Sequence, residues 1–531
     1  METDFLLLNG TIWTGNPECP WAEALAAANG KITAIGSTSA LQESALPTTT
    51  VIDAGGRLVL PGFIDNHTHF ITGGFHLLSV NLREAGSPDE FAGRIAKKAG
   101  ELAAGCWITG GGWNHELWSP ARLPDKRVID MHSPEHPVFV TRLDLHMGLA
   151  NSLALSLAGI GKDTPNPPGG CIERDAKTGE PTGILKDSAM DLVTGIIPKP
   201  SEDEFAQALS AALKHAAALG ITSIQDITSW DDWTAYRRFW ENGWLTVRVC
   251  ARTPIPEWEK QFDFILEHGN GDEWLKFGGV KGFVDGALGS GTALMCEPYT
   301  DEPENAGIFF EQMYPEGIMK QRAAWANQAG LPVSIHAIGD RANQLLLDMY
   351  EEIMRETNSG PQGLRVEHAQ HLRKQDINRM GRMGLTVAMQ PVHLLDDGNW
   401  AERRLGAKRV QTTFACRSLL DAGAKVTFGT DWPVAPLNPM LSIYAAVSRK
   451  PTASSACWVP QQCVTVEEAV RSYTVAGACA EFAEHTKGTL EPGKLADLTI
   501  LSQNIFTVAT DAIPDTEVLY TVLNGKLIYR K

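Results

Sequence analysis

The sequence predicts an α/β protein: a (β/α)8, TIM-like barrel carrying a small discontinuous β-sandwich domain assembled from the two termini. Three observations predict it. Apolar, strand-like runs alternate with helical segments through the middle of the chain, which suits a barrel better than an open doubly wound sheet. Short apolar runs joined by Asn-Gly turns occupy both ends, at Asn9-Gly10, Asn29-Gly30 and Asn524-Gly525, as hairpins require. Histidines and acids recur directly behind the strand-like runs, where barrels keep their chemistry.

In chain order, Phe5-Leu6-Leu7-Leu8, Ala24–Ala28 and Ile32–Ile35 read as the first strands of the small domain, expected over residues 1–57. Barrel strands are expected at Leu58–Asp65, Trp107–Gly111, Ile221–Asp226, Val280–Val284, Pro332–His336, Leu364–Glu367, Leu385–Met389 and Val426–Phe428. Helices are expected between them, at Pro88–Ala103, Glu204–Leu219, Asp231–Asn242, Gly317–Gln328, Arg341–Glu356 and Phe414–Ala422. The barrel is placed over residues 58–486, with an insertion at about 113–200 and a long loop over 286–312. Residues 487–531 return to the small domain through Asp497–Leu501, Val518–Leu523 and Leu527–Tyr529. The two halves meet because the termini of a central domain lie close together.

The chain of 531 residues is 43% hydrophobic and 21% charged, with a formal charge of −17. An acidic chain lacks the basic patch that phosphate neutralisation needs, so no nucleic-acid partner is expected. Nine dispersed cysteines without a CxxC pair read as reduced thiols, and neither a leader peptide nor a membrane span is evident, so a cytoplasmic protein is expected. A homodimer is the default for a soluble oligomer.

The chemistry concentrates in a few residues. His67 and His69 are two apart behind Leu58–Ile64, so on a strand they share a face, as two ligands of one ion must. His336 and His368 follow separate apolar runs. Neutral imidazoles, a charge-balancing anion and an open position are what a hydrolytic metal site needs. Asp431 follows Val426–Phe428 and could take a proton from water, although an Asx turn before Pro433 would also account for it. Lys281 interrupts an apolar strand, so its ammonium needs a partner such as Asp285 or a chemical change to an anionic carbamate. His371, Asp226, Asp285 and Arg341 could orient ligands, and His393 could touch substrate or stand at the rim.

Taken together, His67-x-His69, Lys281-x-Phe283, His336, Glu367-His368, Thr430-Asp431 and Gly488-x-Leu490-x-Pro492-Gly493-Lys494-x-Ala496-Asp497 resemble the amidohydrolase superfamily. Gly110-Gly111-Gly112-Trp113-Asn114, Asp144-x-His146 with Asn151-Ser152-x-Ala154-Leu155, His336-Ala337-Ile338-Gly339-Asp340 and Glu367-His368-Ala369-Gln370 resemble its family 3 branch, typified by N-substituted formamide deformylases. The resemblance implies one or two divalent ions per chain, usually zinc. His67 and His69 would hold the first and His336 and His368 the second, with Lys281, carboxylated by carbon dioxide, bridging them. Asp431 would complete the first shell and act as base, with Asp431 and His336 as the catalytic pair. Gly282, beside Lys281, departs from the bulkier residue that relatives often carry. Trp113, Asn114 and His146 resemble residues that meet substrate.

The expected activity is hydrolysis of a linear amide-type C–N bond of a small molecule. A one-metal deaminase or C–O hydrolase on the same barrel is the alternative enzyme. A catalytically silent regulatory or interaction protein is the alternative of another class.

Overall fold

The computed structural model describes residues 3–358, 360–452 and 455–531. Its centre is an eight-stranded sheet of β1 (Phe63–Thr68), β2 (Ile221–Ile227), β3 (Arg248–Pro254), β4 (Leu275–Phe283), β5 (Val333–Ala337), β6 (Leu364–His368), β7 (Thr386–Met389) and β8 (Lys425–Phe428). Neighbours pair in parallel and in sequence order. Val280, Val333, Ile335, Val366, Val387 and Val426 are buried in one continuous core, because helices cover a parallel sheet whose strands must then be apolar on both faces. The barrel closes between β8 and β1 through the segment after β8: Asp431 N donates to His67 O at 2.7 Å, and His69 N to Trp432 O at 2.8 Å.

The helices Glu202–Ala218, Trp230–Glu241, Ile318–Gln328 and Asp340–Thr357 fall where the sequence puts them. The first two start on capping boxes, Ser201 with Glu204 and Ser229 with Asp232, which satisfy otherwise orphaned backbone donors.

Three strand assignments are corrected. Trp107–Gly111 is not in the barrel: Gly110–Trp113 joins a separate six-stranded sheet with Val80–Asn81, Phe139–Arg142, Met147–Ala150, Pro181–Asp187 and Gly170–Arg174. The glycines at 110, 111 and 112 all have positive φ there, a backbone a barrel strand would not use. This sheet begins at Val80, and the whole excursion lies between β1 and β2. The barrel strand left out is β3, whose buried Arg248 and Arg252 make it read as polar. Leu58–Asp65 is two strands, broken at Gly62, where a Cβ would sit 2.2 Å from Thr222 Oγ1.

Leu58–Pro61 instead lies in a six-stranded terminal sheet, between Thr11–Trp13 and Leu498–Leu501. A four-stranded sheet of Lys31–Gly36, Ala24–Ala28, Phe5–Leu8 and Thr50–Asp53 packs on it over Phe5, Leu25, Val59, Leu498 and Val522. The closing Gly-Lys-Leu-Ala-Asp segment ties these sheets to the barrel. Arg248 of β3 grips Asp497 with two hydrogen bonds, Nε to Oδ2 at 2.6 Å and Nη2 to Oδ1 at 3.1 Å. Both side chains are buried, so removing one strands the other charge. Asp497→Ala is therefore expected to cost about 3–5 kcal/mol, read as a lower urea midpoint; an unchanged midpoint would show the pair to be dispensable.

Candidate metal and catalytic site

The polar side chains converge at the C-terminal ends of β1, β4, β5, β6 and β8. His67, on β1, has Nδ1 2.6 Å from Glu367 Oε2 on β6. Its Nε2 lies 3.4 Å from Lys281 Nζ and 3.5 Å from Asp431 Oδ1. His69 lies just past β1 at the cap of the helix Phe70–Leu78, with Nε2 3.4 Å from Asp431 Oδ1. The His368 ring stands 4.7 Å from that of His67 and 4.4 Å from that of His336, centroid to centroid. His336 Nε2 is 3.0 Å from Gly286 O. The structure thus gathers all six expected ligands in one layer. His368 and Asp431 reach it with φ of +71° and +59°, a costly backbone for non-glycine residues that tends to cluster at functional sites.

Burial, with Lys281 nearby, lowers the His67 pKa to about 4. Burial likewise pulls His336 and His368 well below the usual histidine value. These imidazoles are neutral near pH 7, the form that ligates a cation. For Asp431 burial pushes upward, but His67 and His69 outweigh it and hold the carboxylate well below its ordinary range. Lys281 is 1% exposed, and burial draws its pKa down to about 8. Asp285 is not its partner: that carboxylate accepts from the backbone N–H groups of Leu294, Gly339 and Ile338 at 2.8, 2.8 and 3.0 Å. At Gly282 a Cβ would press within 3.1 Å of Ile255 and Met319, which accounts for the glycine through helix packing, with Lys281 kept in register opposite Ser334.

Other buried groups set these side chains. Arg365 Nε sits 2.6 Å from Glu367 Oε1; burial would raise the Glu367 pKa, but Arg365 and His67 hold it well below normal. Asp65 accepts from Thr430 Oγ1 at 2.7 Å, Thr430 N at 3.0 Å and His67 N at 3.2 Å. Asp226 accepts from Phe70 N, Thr68 Oγ1 and Tyr236 Oη at 2.6, 2.9 and 2.9 Å, fixing the turn that carries His69. The supporting roles of Glu367, Arg365 and Asp65 escaped the sequence reading; the signal for Asp65 was its place two residues before His67, on the same strand face. Among the supports that were named, His371 bonds Thr413 Oγ1 at 2.9 Å, and Arg341 is exposed.

The donor set fits a cation. His67, His368 and Asp431 each offer a ligand atom within 4.8 Å of the others. His368 Nδ1 and Asp431 Oδ1 are buried without a hydrogen-bond partner, a situation that native proteins resolve with a bound ligand, ion or water.

Above this layer opens a cavity of about 580 Å³, roofed by the excursion between β1 and β2 and by the loop after β4. Asn114 lines it and donates to Asp396 Oδ1 at 2.7 Å. His146 lines it with Nδ1 2.6 Å from Asp187 Oδ1; burial opposes protonation, but Asp187 prevails and raises the pKa. His393 also lines it, with Nε2 3.2 Å from Thr430 O. Trp113 is a correction: it is fully buried, donates to Val140 O at 3.0 Å and packs on Phe91 and Trp118, so it is core of the excursion and not cavity wall.

Known proteins resemble the chain over nearly its whole length. The pattern of the Amidohydrolase family matches residues 50–529. Protein LONG AFTER FAR-RED 3 of Arabidopsis thaliana is 39% identical over 99% of this chain and 91% of its own. The N-substituted formamide deformylase of Arthrobacter pascens is 28% identical over 99% and 98%. A crystal structure of an uncharacterized metal-dependent hydrolase from Pyrococcus furiosus is 29% identical, with a TM-score of 0.72 over 95% of this chain and all of that one. The chain belongs to the amidohydrolase superfamily, in its family 3 branch, and is a hydrolase by class.

Because Glu367 fixes the ring of His67, Glu367→Ala is expected to weaken metal affinity about 10–100-fold. Titration of metal-stripped protein measures it, and an unchanged affinity would show His67 to be held by packing alone.

Proposed function

We propose that the protein hydrolyses a linear amide-type C–N bond in a small molecule with an apolar substituent. The observation that carries the reading is Asp431, whose carboxylate stands among His67, His69 and His368 with one oxygen unpaired. His67, His69, His336, His368, Asp431 and a carboxylated Lys281 would hold one or two divalent ions, zinc by the chemistry of imidazole and carboxylate donors. Such an ion polarises a carbonyl and makes water acidic enough to supply hydroxide near pH 7.

The chain's own residues do the rest. Asp431, kept anionic, takes the proton from the attacking water and returns it to the departing nitrogen. Carbon–oxygen bond formation is thus matched by carbon–nitrogen cleavage, with one proton moved. Burial draws the Lys281 pKa down to about 8, so about a tenth is free amine at pH 7, far more than for an ordinary lysine. Its Nζ can bond the carbon of carbon dioxide and lose a proton to give an anion where the layer needs one. Phe283, Phe310, Leu145 and Met190 give the cavity an apolar wall suited to a bulky substituent. The Arthrobacter relative is named for N-substituted formamides, so that class is the first to test. A one-ion arrangement is the second reading, favoured by the convergence of His67, His368 and Asp431 alone. The acidic balance supports a small-molecule partner rather than nucleic acid.

Two experiments decide these assignments. Asp431→Asn keeps the shape and removes the base, so kcat on the best amide is expected to fall about 10²–10⁴-fold while most of the metal is retained; near-normal turnover would reduce Asp431 to a turn residue. Lys281→Ala is expected to lose activity that formate or acetate with added metal partly restores. Full activity in Lys281→Ala would remove the carbamate from the mechanism.

A further inference from the structure

His146 belongs to no barrel strand. It precedes Met147–Ala150 in the excursion sheet, beside Pro181–Asp187, which ends on Asp187. Asp187 N donates to His146 O at 3.0 Å, and the Asp187 carboxylate holds His146 Nδ1 at 2.6 Å. Main chain and side chain therefore fix the ring together. Asp187 adopts φ +47° to do so, a strained backbone for this residue. With Nδ1 occupied, Nε2 has no protein partner among the described residues, and the ring lines the cavity. The ring centroid lies 5.3 Å from that of His336, so His146 stands on the His336 side of the layer while Asp431 stands beside His67 and His69. Next to it, Asp187 Oδ2 and Ser188 Oγ are buried and unpaired.

We propose that His146, clamped by Asp187, grips the carbonyl oxygen of the substrate and the negative charge that develops there, a role that rests on the hydrolytic reading above. When hydroxide attacks, a carbon–oxygen bond forms and the π pair of the carbonyl moves onto its oxygen. His146, protonated on both ring nitrogens against the Asp187 carboxylate, donates from Nε2–H to that oxygen and keeps its proton. When the pair returns, the C–N bond breaks and the nitrogen leaves with the proton that Asp431 carried. A donor already aimed where charge appears needs no reorganisation, and one such donor is worth about 10²–10³-fold in rate. Asp187 is a positioning residue: its carboxylate accepts from Nδ1–H, favours the doubly protonated ring and fixes its aim. The excursion thereby adds a hydrogen-bond donor to a site whose ion-holding groups and base belong to the barrel.

The test compares wild type with His146→Ala, His146→Gln and Asp187→Asn. It measures kcat and KM on N-benzylformamide, metal content by elemental analysis, and binding of benzylphosphonate, an anionic tetrahedral mimic, by calorimetry. The proposal expects His146→Ala to lose about 10²–10³-fold in kcat, with KM within a few-fold, metal content unchanged and benzylphosphonate bound far more weakly. His146→Gln, which restores an N–H donor, should recover part of both losses, and Asp187→Asn should fall between. Metal loss in His146→Gln would make His146 a ligand and overturn the proposal, as would a rise in KM with kcat intact. If the wild type cleaves no amide, the hydrolytic reading fails by itself. Equal phosphonate affinity in wild type and His146→Ala would then overturn the role of His146.

Discussion

Glu367 reaches across the inside of the barrel from β6 to His67 on β1, and most of the site depends on that 2.6 Å contact. A carboxylate so deeply buried is tenable only when paired, and Arg365, two residues back on the same strand face, supplies the cation. Arg365 in turn donates to Gln225 of β2 and to the main-chain oxygen of Asn66 on β1, while Asn66 donates to Phe428 O of β8 at 2.8 Å. A polar layer therefore crosses the barrel, linking β1, β2, β6 and β8 beneath the histidines. Disturbing one member leaves another charge or amide unsatisfied in the interior, so position and protonation of His67 are set together.

Much of this was legible in the sequence because strand-end chemistry leaves a local trace. His67-x-His69, His336, His368 and Asp431 each follow an apolar run, and the structure puts them in one layer. The rest was hidden where burial and polarity disagree. β3 carries Arg248 and Arg252 inside the protein, so its pattern resembles a surface segment. Leu58–Asp65 reads as one apolar strand, and only the close approach of Thr222 to Gly62 shows why it must split. Trp113 lies in a motif that runs into the cavity wall, yet its indole turns into the excursion's own core and Asn114 faces the cavity instead. Which way a side chain turns at the end of a strand depends on neighbours distant in sequence, here Val140, Phe91 and Trp118.

The barrel and the excursion contribute different chemistry. The barrel supplies groups whose charge is tuned by depth: imidazoles stripped of their protons, an aspartate kept anionic and a lysine with a lowered pKa. The excursion and the β4 loop supply the apolar wall of Phe310, Leu145 and Met190 and the Asp187-held His146. Loops on this face can change without disturbing the strands beneath them, so the same layer can serve substrates of different shape.

The placement of Leu58–Pro61 between Thr11–Trp13 and Leu498–Leu501 has a consequence for how the molecule is made. During translation the first of these strands emerges with one edge bare, and its partner arrives only after the whole barrel has been synthesised. At about 5–20 residues per second that interval is roughly 20–90 s. A bare β edge is a template for pairing with other chains. The nascent protein therefore carries that open edge through the interval, and the Arg248–Asp497 grip, which needs a residue near the end of the chain, forms among the last contacts.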